Sequence, residues 1–216
     1  MALQNNIAVV LGQKGCGKTS LVSMLIQEEM HRRNRLIILD TLNDYGEITP
    51  EAIAITLDGL KKFGQNAAFR LRYTPKTEAD LDTALSLGWE IENVLIVLDE
   101  SGKWCSPSYM SPGLNSLLNY GRHKRLDALL VARRSIELHR TMTSQADTFY
   151  LFHSHEPRDV AYISASISVD VAETVPQLGR YEYVKFSYPD EMSRGKTRPL
   201  PETPGKTRTK PKSFLD

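Results

Sequence analysis

Gly12-Gln13-Lys14-Gly15-Cys16-Gly17-Lys18-Thr19 is a full G-x-x-x-x-G-K-[ST] phosphate-binding loop. Its flanks are those the motif demands. The apolar run Ile7-Ala8-Val9-Val10-Leu11 comes before it and reads as a buried parallel strand. Leu21, Val22, Leu25 and Ile26 follow at helical spacing. Gly12, Gly15 and Gly17 let the backbone wrap tightly enough to aim its N–H groups at phosphate oxygens. The helix N-terminus adds the positive end of its dipole. The candidate nucleotide contacts are therefore Gly12, Gln13, Lys14, Gly15, Cys16, Gly17, Lys18, Thr19 and Ser20. Lys18 is expected to reach the β- and γ-phosphates of ATP, and the Thr19 hydroxyl to hold Mg²⁺.

Outward from this loop, apolar strand patterns alternate with helical ones. Strands are predicted at 6–11, 35–40, 67–73, 94–99, 126–132, 147–152 and 181–186. Helices are predicted at 18–32, 50–62, 77–90, 112–121, 136–145, 156–165 and 169–177. Such alternation implies right-handed βαβ units and an α/β fold of the P-loop type, with a doubly wound, mainly parallel sheet flanked by helices.

A second acidic motif lies further along the chain. Val94-Leu95-Ile96-Val97-Leu98 ends in Asp99 and Glu100. Asp99 is placed to organise the Mg²⁺ shell, and Glu100 to polarise a water for attack on the γ-phosphorus. Asp99-Glu100-Ser101-Gly102 also fits the D-x-x-G of GTP-binding switches. The guanine-reading N-K-x-D that such proteins need is missing; His123-Lys124-Arg125-Leu126-Asp127 lacks the Asn. Asp40, ending the second predicted strand, reads equally as an aid to the metal shell or as a turn cap.

The 216 residues suffice for one α/β domain, and the formal net charge is only +1. The charge is uneven. From Ser193 onward, Arg194, Lys196, Arg198, Lys206, Arg208, Lys210 and Lys212 face only Glu202 and Asp216. Pro199, Pro201, Pro204 and Pro211 are interleaved with them. The expected division is a P-loop ATPase domain over 1–192 and a basic, Pro-rich disordered tail over 193–216. Cys16 and Cys105 are the only cysteines, and Cys16 lies inside the loop, which fits a reducing compartment. No apolar run is long enough to span a membrane, and no secretory signal is expected. His153, His155 and Glu156 lack further residues at ligand spacing, so they are not read as a metal site. Trp89 and Trp104 are read as core or loop anchors.

The order of segments resembles the HerA/FtsK superfamily of P-loop ATPases. The segments are Leu39-Asp40-Thr41, then Asn119-Tyr120-Gly121-Arg122-His123, then Ala132-Arg133-Arg134, then Thr148-Phe149-Tyr150-Leu151-Phe152. Within that superfamily the likeness is to genome-packaging ATPases of membrane-containing, double-jelly-roll viruses. The resemblance implies a homo-oligomer, a hexameric ring that moves double-stranded DNA, gripping its phosphate backbone. It also implies a capsid vertex protein as a partner and a place in the host cytoplasm or the virion. Arg122 is then the candidate finger that completes a neighbour's site. Arg133 stands at the γ-phosphate sensor position, where relatives usually carry a neutral polar residue followed by Arg-Pro, and it reads equally as a second finger or a DNA contact. Two alternatives stay open: a secretion- or assembly-type ATPase of the same superfamily acting on protein, and a small-molecule P-loop kinase.

Overall fold

The computed structural model describes residues 6–199 apart from 31–33, 44, 47–48 and 50–51. The strands are β1 (Ile7–Leu11), β2 (Arg35–Leu39), β3 (Ile53–Ala54), β4 (Phe69–Tyr73), β5 (Leu95–Leu98), β6 (Cys105–Ser106), β7 (Tyr109–Met110), β8 (Asp127–Ala132), β9 (Thr148–Phe152), β10 (Glu182–Ser187) and β11 (Glu191–Lys196). The helices are α1 (Lys18–Met30), α2 (Leu57–Phe63), α3 (Glu78–Ile91), α4 (Pro112–Tyr120), α5 (Arg140–Ser144), α6 (Pro157–Ser166) and α7 (Val169–Thr174).

The main sheet runs in the order β11-β10-β9-β1-β8-β5-β2-β4-β3. From β9 to β3 every pairing is parallel, while β10 and β11 are antiparallel additions at one edge. β6 and β7 form a separate small hairpin. The central strands are apolar on both faces because both are covered. Val9 and Leu11 point into a core shared with α3 and α4, whereas Val10 points into one built with α1 residues Leu21, Val22 and Ile26. Such two-sided burial demands the unbroken aliphatic runs seen in the sequence.

Local chemistry sets the helix starts. Thr77 and Asp80 form a reciprocal capping box at the start of α3. Ser111 caps α4, with Pro112 in its first turn. The helix expected over 50–62 is corrected: residues 50–51 lie outside the described set, Ile53–Ala54 pairs with β4, and α2 begins only at Leu57. There the Thr56 hydroxyl accepts from Gly59 N at 3.2 Å, a cap that competes with any earlier start.

The expected tail boundary is corrected too. Ser193 is not where the folded part ends: Glu191–Lys196 is strand β11, paired with β10 from Glu182↔Lys196 to Ser187↔Glu191. Its mostly exposed polar residues concealed it, as suits an edge strand. Thr197 just beyond is buried. Residues 200–216 lie outside the described set.

Candidate nucleotide site

All parallel strands present their C-terminal ends to one edge, and the phosphate loop leaves β1 there. Gly12 N–H donates to the Ala132 carbonyl at 3.3 Å, which ties the loop's start to the end of β8. A side chain at Gly12 would strike Cys16 Sγ and Phe152 Cβ, each at 2.7 Å. Gly15 and Gly17 have φ of +80° and +115°, where L side chains are strained. Lys18 folds back over the loop, its Nζ donating to the carbonyls of Gly12 (2.5 Å) and Gln13 (3.1 Å). Burial lowers the Lys18 pKa, while Cys16, Glu100 and Asp99 favour its charged form. Burial pushes the Cys16 thiol up, opposed by Lys18. Gln13 and Lys14 are exposed, Thr19 is half-buried and Ser20 is buried in the first turn of α1.

The acidic pair reaches the same edge from β5. β8 lies between β1 and β5, pairing Leu11↔Ala132 and Leu98↔Leu130. Asp99 and Glu100 therefore emerge two strands from the loop, close enough to act on Lys18 electrostatically. Asp99 is buried. Its backbone is fixed by a chain in which Trp104 Nε1 donates to Thr41 Oγ1 (3.2 Å), whose hydroxyl donates to the Asp99 carbonyl (2.9 Å). Trp104 is thus an anchor of the acidic turn. Glu100 adopts a left-handed conformation, φ 49° and ψ 47°, a strained setting for a residue with a Cβ. Ser101 Oγ, donating to the Val131 carbonyl at 3.0 Å, ties the turn to β8.

Arg133 leaves the end of β8 between these elements, and its Nε donates to Glu100 Oε1 at 2.8 Å. Arg134 has different partners. It pairs with Asp159 at 3.0 Å and Glu156 at 3.8 Å, and Asp159 also accepts from Ser135 Oγ and Ile136 N. Arg134 is thereby engaged with α6. A cavity of about 370 Å³ beside Glu100 is lined by Thr41, Lys103, Arg133 and Arg134.

Asp40 is engaged with the neighbouring strand β4 and its own turn. Its buried carboxylate accepts from Tyr45 N and pairs with Arg72, each at 3.0 Å. Arg122 does not join its own chain's site. It is exposed on the turn Gly121–Lys124, which precedes β8. The length of β8, ~20 Å at about 3.3 Å per residue, separates it from the loop. His153 and His155 lie with ring centroids 5.6 Å apart, and no group of three potential metal ligands occurs among the described residues. Among the same residues no helix is long and apolar enough to cross a membrane.

Sequence reasoning missed the contacts that close the loop on its other side. Tyr181 N–H donates to the Cys16 carbonyl at 3.1 Å, and Thr197 N–H to the Tyr181 carbonyl at 2.8 Å. These residues come from the antiparallel hairpin, far along the chain, and no local pattern links them to the loop.

No protein-family model matches the sequence. The DNA packaging ATPase P9 of Enterobacteria phage PRD1 is 23% identical, over 82% of this chain and 80% of that protein. The genome packaging NTPase B204 from Sulfolobus turreted icosahedral virus 2, solved in complex with ATPγS, superposes with a TM-score of 0.78. It shares 22% identity and covers 91% of this chain and 99% of that one. The chain has the fold of viral genome-packaging ATPases. VirB4 of Thermoanaerobacter pseudethanolicus, with a TM-score of 0.70, 12% identity and coverage of 92% and 91%, shares the same P-loop ATPase fold. In this fold β8 stands between loop strand and acid strand, which gives Lys18, Asp99, Glu100 and Arg133 one common edge.

Proposed function

We propose that this chain hydrolyses ATP to drive double-stranded DNA, as one subunit of a hexameric viral genome-packaging motor. The observation that carries the reading is the convergence of Lys18, Asp99, Glu100 and Arg133 on one sheet edge, in a fold shared with packaging ATPases.

The chemistry comes from the groups present. Backbone N–H groups from Gly15 to Thr19 hold the β-phosphate, and Lys18 leaves the loop carbonyls to neutralise the β- and γ-oxygens. The Thr19 hydroxyl and the Asp99 carboxylate are hard oxygen donors at the α1 and β5 ends, a set that suits Mg²⁺. The bound ion would supply charge neutralisation between the β- and γ-phosphates. Glu100 accepts the proton of the attacking water. Arg133 holds the Glu100 carboxylate and has N–H groups to offer the γ-phosphate, so it serves as base orienter and sensor. Arg122, on the opposite edge, acts in trans on a neighbour's nucleotide. The rest of the ring supplies DNA phosphate contacts from exposed Lys61, Lys62, Arg140 and the basic tail. A capsid vertex protein is the expected anchor, and the host cytoplasm and virion the expected locations.

The test is inorganic phosphate release with and without double-stranded DNA, with particle mass measured in parallel. DNA should raise the rate, and the rise should fade steeply with salt. Glu100→Gln should bind ATP but turn over about 10²–10⁴-fold more slowly, and Lys18→Ala should lose nucleotide affinity. Arg122→Ala should assemble normally and lose about 10³-fold in rate, the effect of a missing arginine finger. A rate indifferent to DNA points instead to a protein substrate. Release that requires an added small-molecule acceptor points to a kinase.

A further inference from the structure

The two ends of a bound triphosphate nucleotide can be told apart by where the catalytic groups lie. Glu100 and Arg133 are on the β8–β5 side of β1. A triphosphate laid along the loop with its γ-phosphate towards them extends its base the other way, over β9 and towards β10. There the loop meets the entry to the C-terminal hairpin.

That contact is closely built. A side chain at Gly17 would strike Thr197 Oγ1 at 2.7 Å and Tyr181 Cδ1 at 2.8 Å. The Tyr181 backbone is locked between Cys16 and Thr197 and is held at φ 68°, a conformation that costs a tyrosine about 1–2 kcal/mol. Strain of this kind persists where surrounding contacts over-determine it, often at a ligand site. The Tyr181 ring is only half-buried, although its edge abuts the loop, and the exposed Arg180 guanidinium lies over it at 4.9 Å from the centroid. A half-buried aromatic ring and an exposed planar cation stacked beside a phosphate loop offer flat surfaces for a nucleobase.

We propose that Tyr181 and Arg180, braced by Thr197 against Gly17, form the base subsite of the nucleotide and hold a purine by stacking. This rests on the reading of the loop as a triphosphate site and adds the ligand's other end. Stacking reads the π-face and not the base edge, so ATP and GTP bind alike here.

Affinities for Mg·ATP, Mg·GTP and inorganic tripolyphosphate, measured by competition against a fluorescent nucleotide, test this on the full chain. Tyr181→Ala should weaken ATP and GTP by about tenfold, the scale of one base–aromatic stack, and leave tripolyphosphate unchanged. Tyr181→Phe should restore ATP binding. Arg180→Ala, an exposed position that leaves the loop contacts intact, should weaken ATP selectively as well and stands in if Tyr181→Ala fails to fold. Equal losses for ATP and tripolyphosphate would make Tyr181 a brace of the loop and overturn the subsite, as would unchanged ATP affinity. A wild-type chain that binds neither ligand would overturn the triphosphate site itself.

Discussion

Lys18 shows how one half-buried cation governs the site. Its ammonium is desolvated, which depresses its pKa below the ordinary 10.5 of a lysine, and the nearby Asp99 and Glu100 only partly oppose this. Triphosphate binds the charged form. Affinity for ATP should therefore begin to fall, as pH rises, before pH 10.5 is reached, because the free protein loses that proton early. A titration of ATP affinity between neutral and alkaline pH would show this decline in the wild type, and Lys18→Ala would bind weakly with no such arm. A wild-type profile flat up to that pH would contradict the depression. Lys18, Asp99 and Glu100 were legible in the sequence because each ends or follows a strand inside a motif whose spacing the phosphate chemistry dictates. The division of labour between Arg133 and Arg134 was not. Successive residues in an extended segment project to opposite sides, and only the fold shows that one side holds Glu100 and the other Asp159.

The elements repeat this contrast. β1, β2, β5, β8 and β9 were readable because two-sided burial writes itself as an apolar run, aliphatic in the first four and largely aromatic in β9. The segment between β2 and α2 was not, because its order comes from distant partners. Asp40, fully buried at the end of β2, is held by Arg72 of β4 and by the Tyr45 amide. Arg72 also donates to Asn43 Oδ1 at 2.5 Å, so one guanidinium fastens the turn to the neighbouring strand. Removing it takes the guanidinium partner from a buried carboxylate. Arg72→Met should destabilise the protein by about 3–5 kcal/mol, and Asp40→Asn in that background should recover part of the loss by removing a buried charge that has lost its guanidinium. Urea unfolding of the single and double variants measures both. Equal stability of wild type and Arg72→Met would mean that the pair does not hold this turn.

At the scale of the whole molecule, the sheet has two unlike edges. The β3 edge is short and exposed, while the β11 edge carries the chain back to the phosphate loop and delivers Thr197 against Gly17. The basic segment after it therefore starts beside the nucleotide site, a position its composition could not disclose. Two truncations separate the roles of hairpin and tail. A chain ending at Arg198 keeps β11 and Thr197, so its melting temperature and ATP affinity should match the full chain. It lacks Lys206, Arg208, Lys210 and Lys212, and if these grip phosphate, the slope of log DNA affinity against log salt should shrink by up to about 0.9 per lost contact. A chain ending at Asp190 loses the six-residue β11 ladder and the Thr197 bracket. It exposes the β10 edge and should melt several degrees lower, at about 2–4 °C per kcal/mol lost for a domain of this size, with ATP affinity falling as well. On these outcomes hairpin and tail are separable: the last strand braces the nucleotide site, and the segment beyond Arg198 adds DNA phosphate contacts to those of Lys61, Lys62 and Arg140. Melting temperatures that coincide for both truncations would show that β11 carries no weight in the fold and that the loop holds its shape without it.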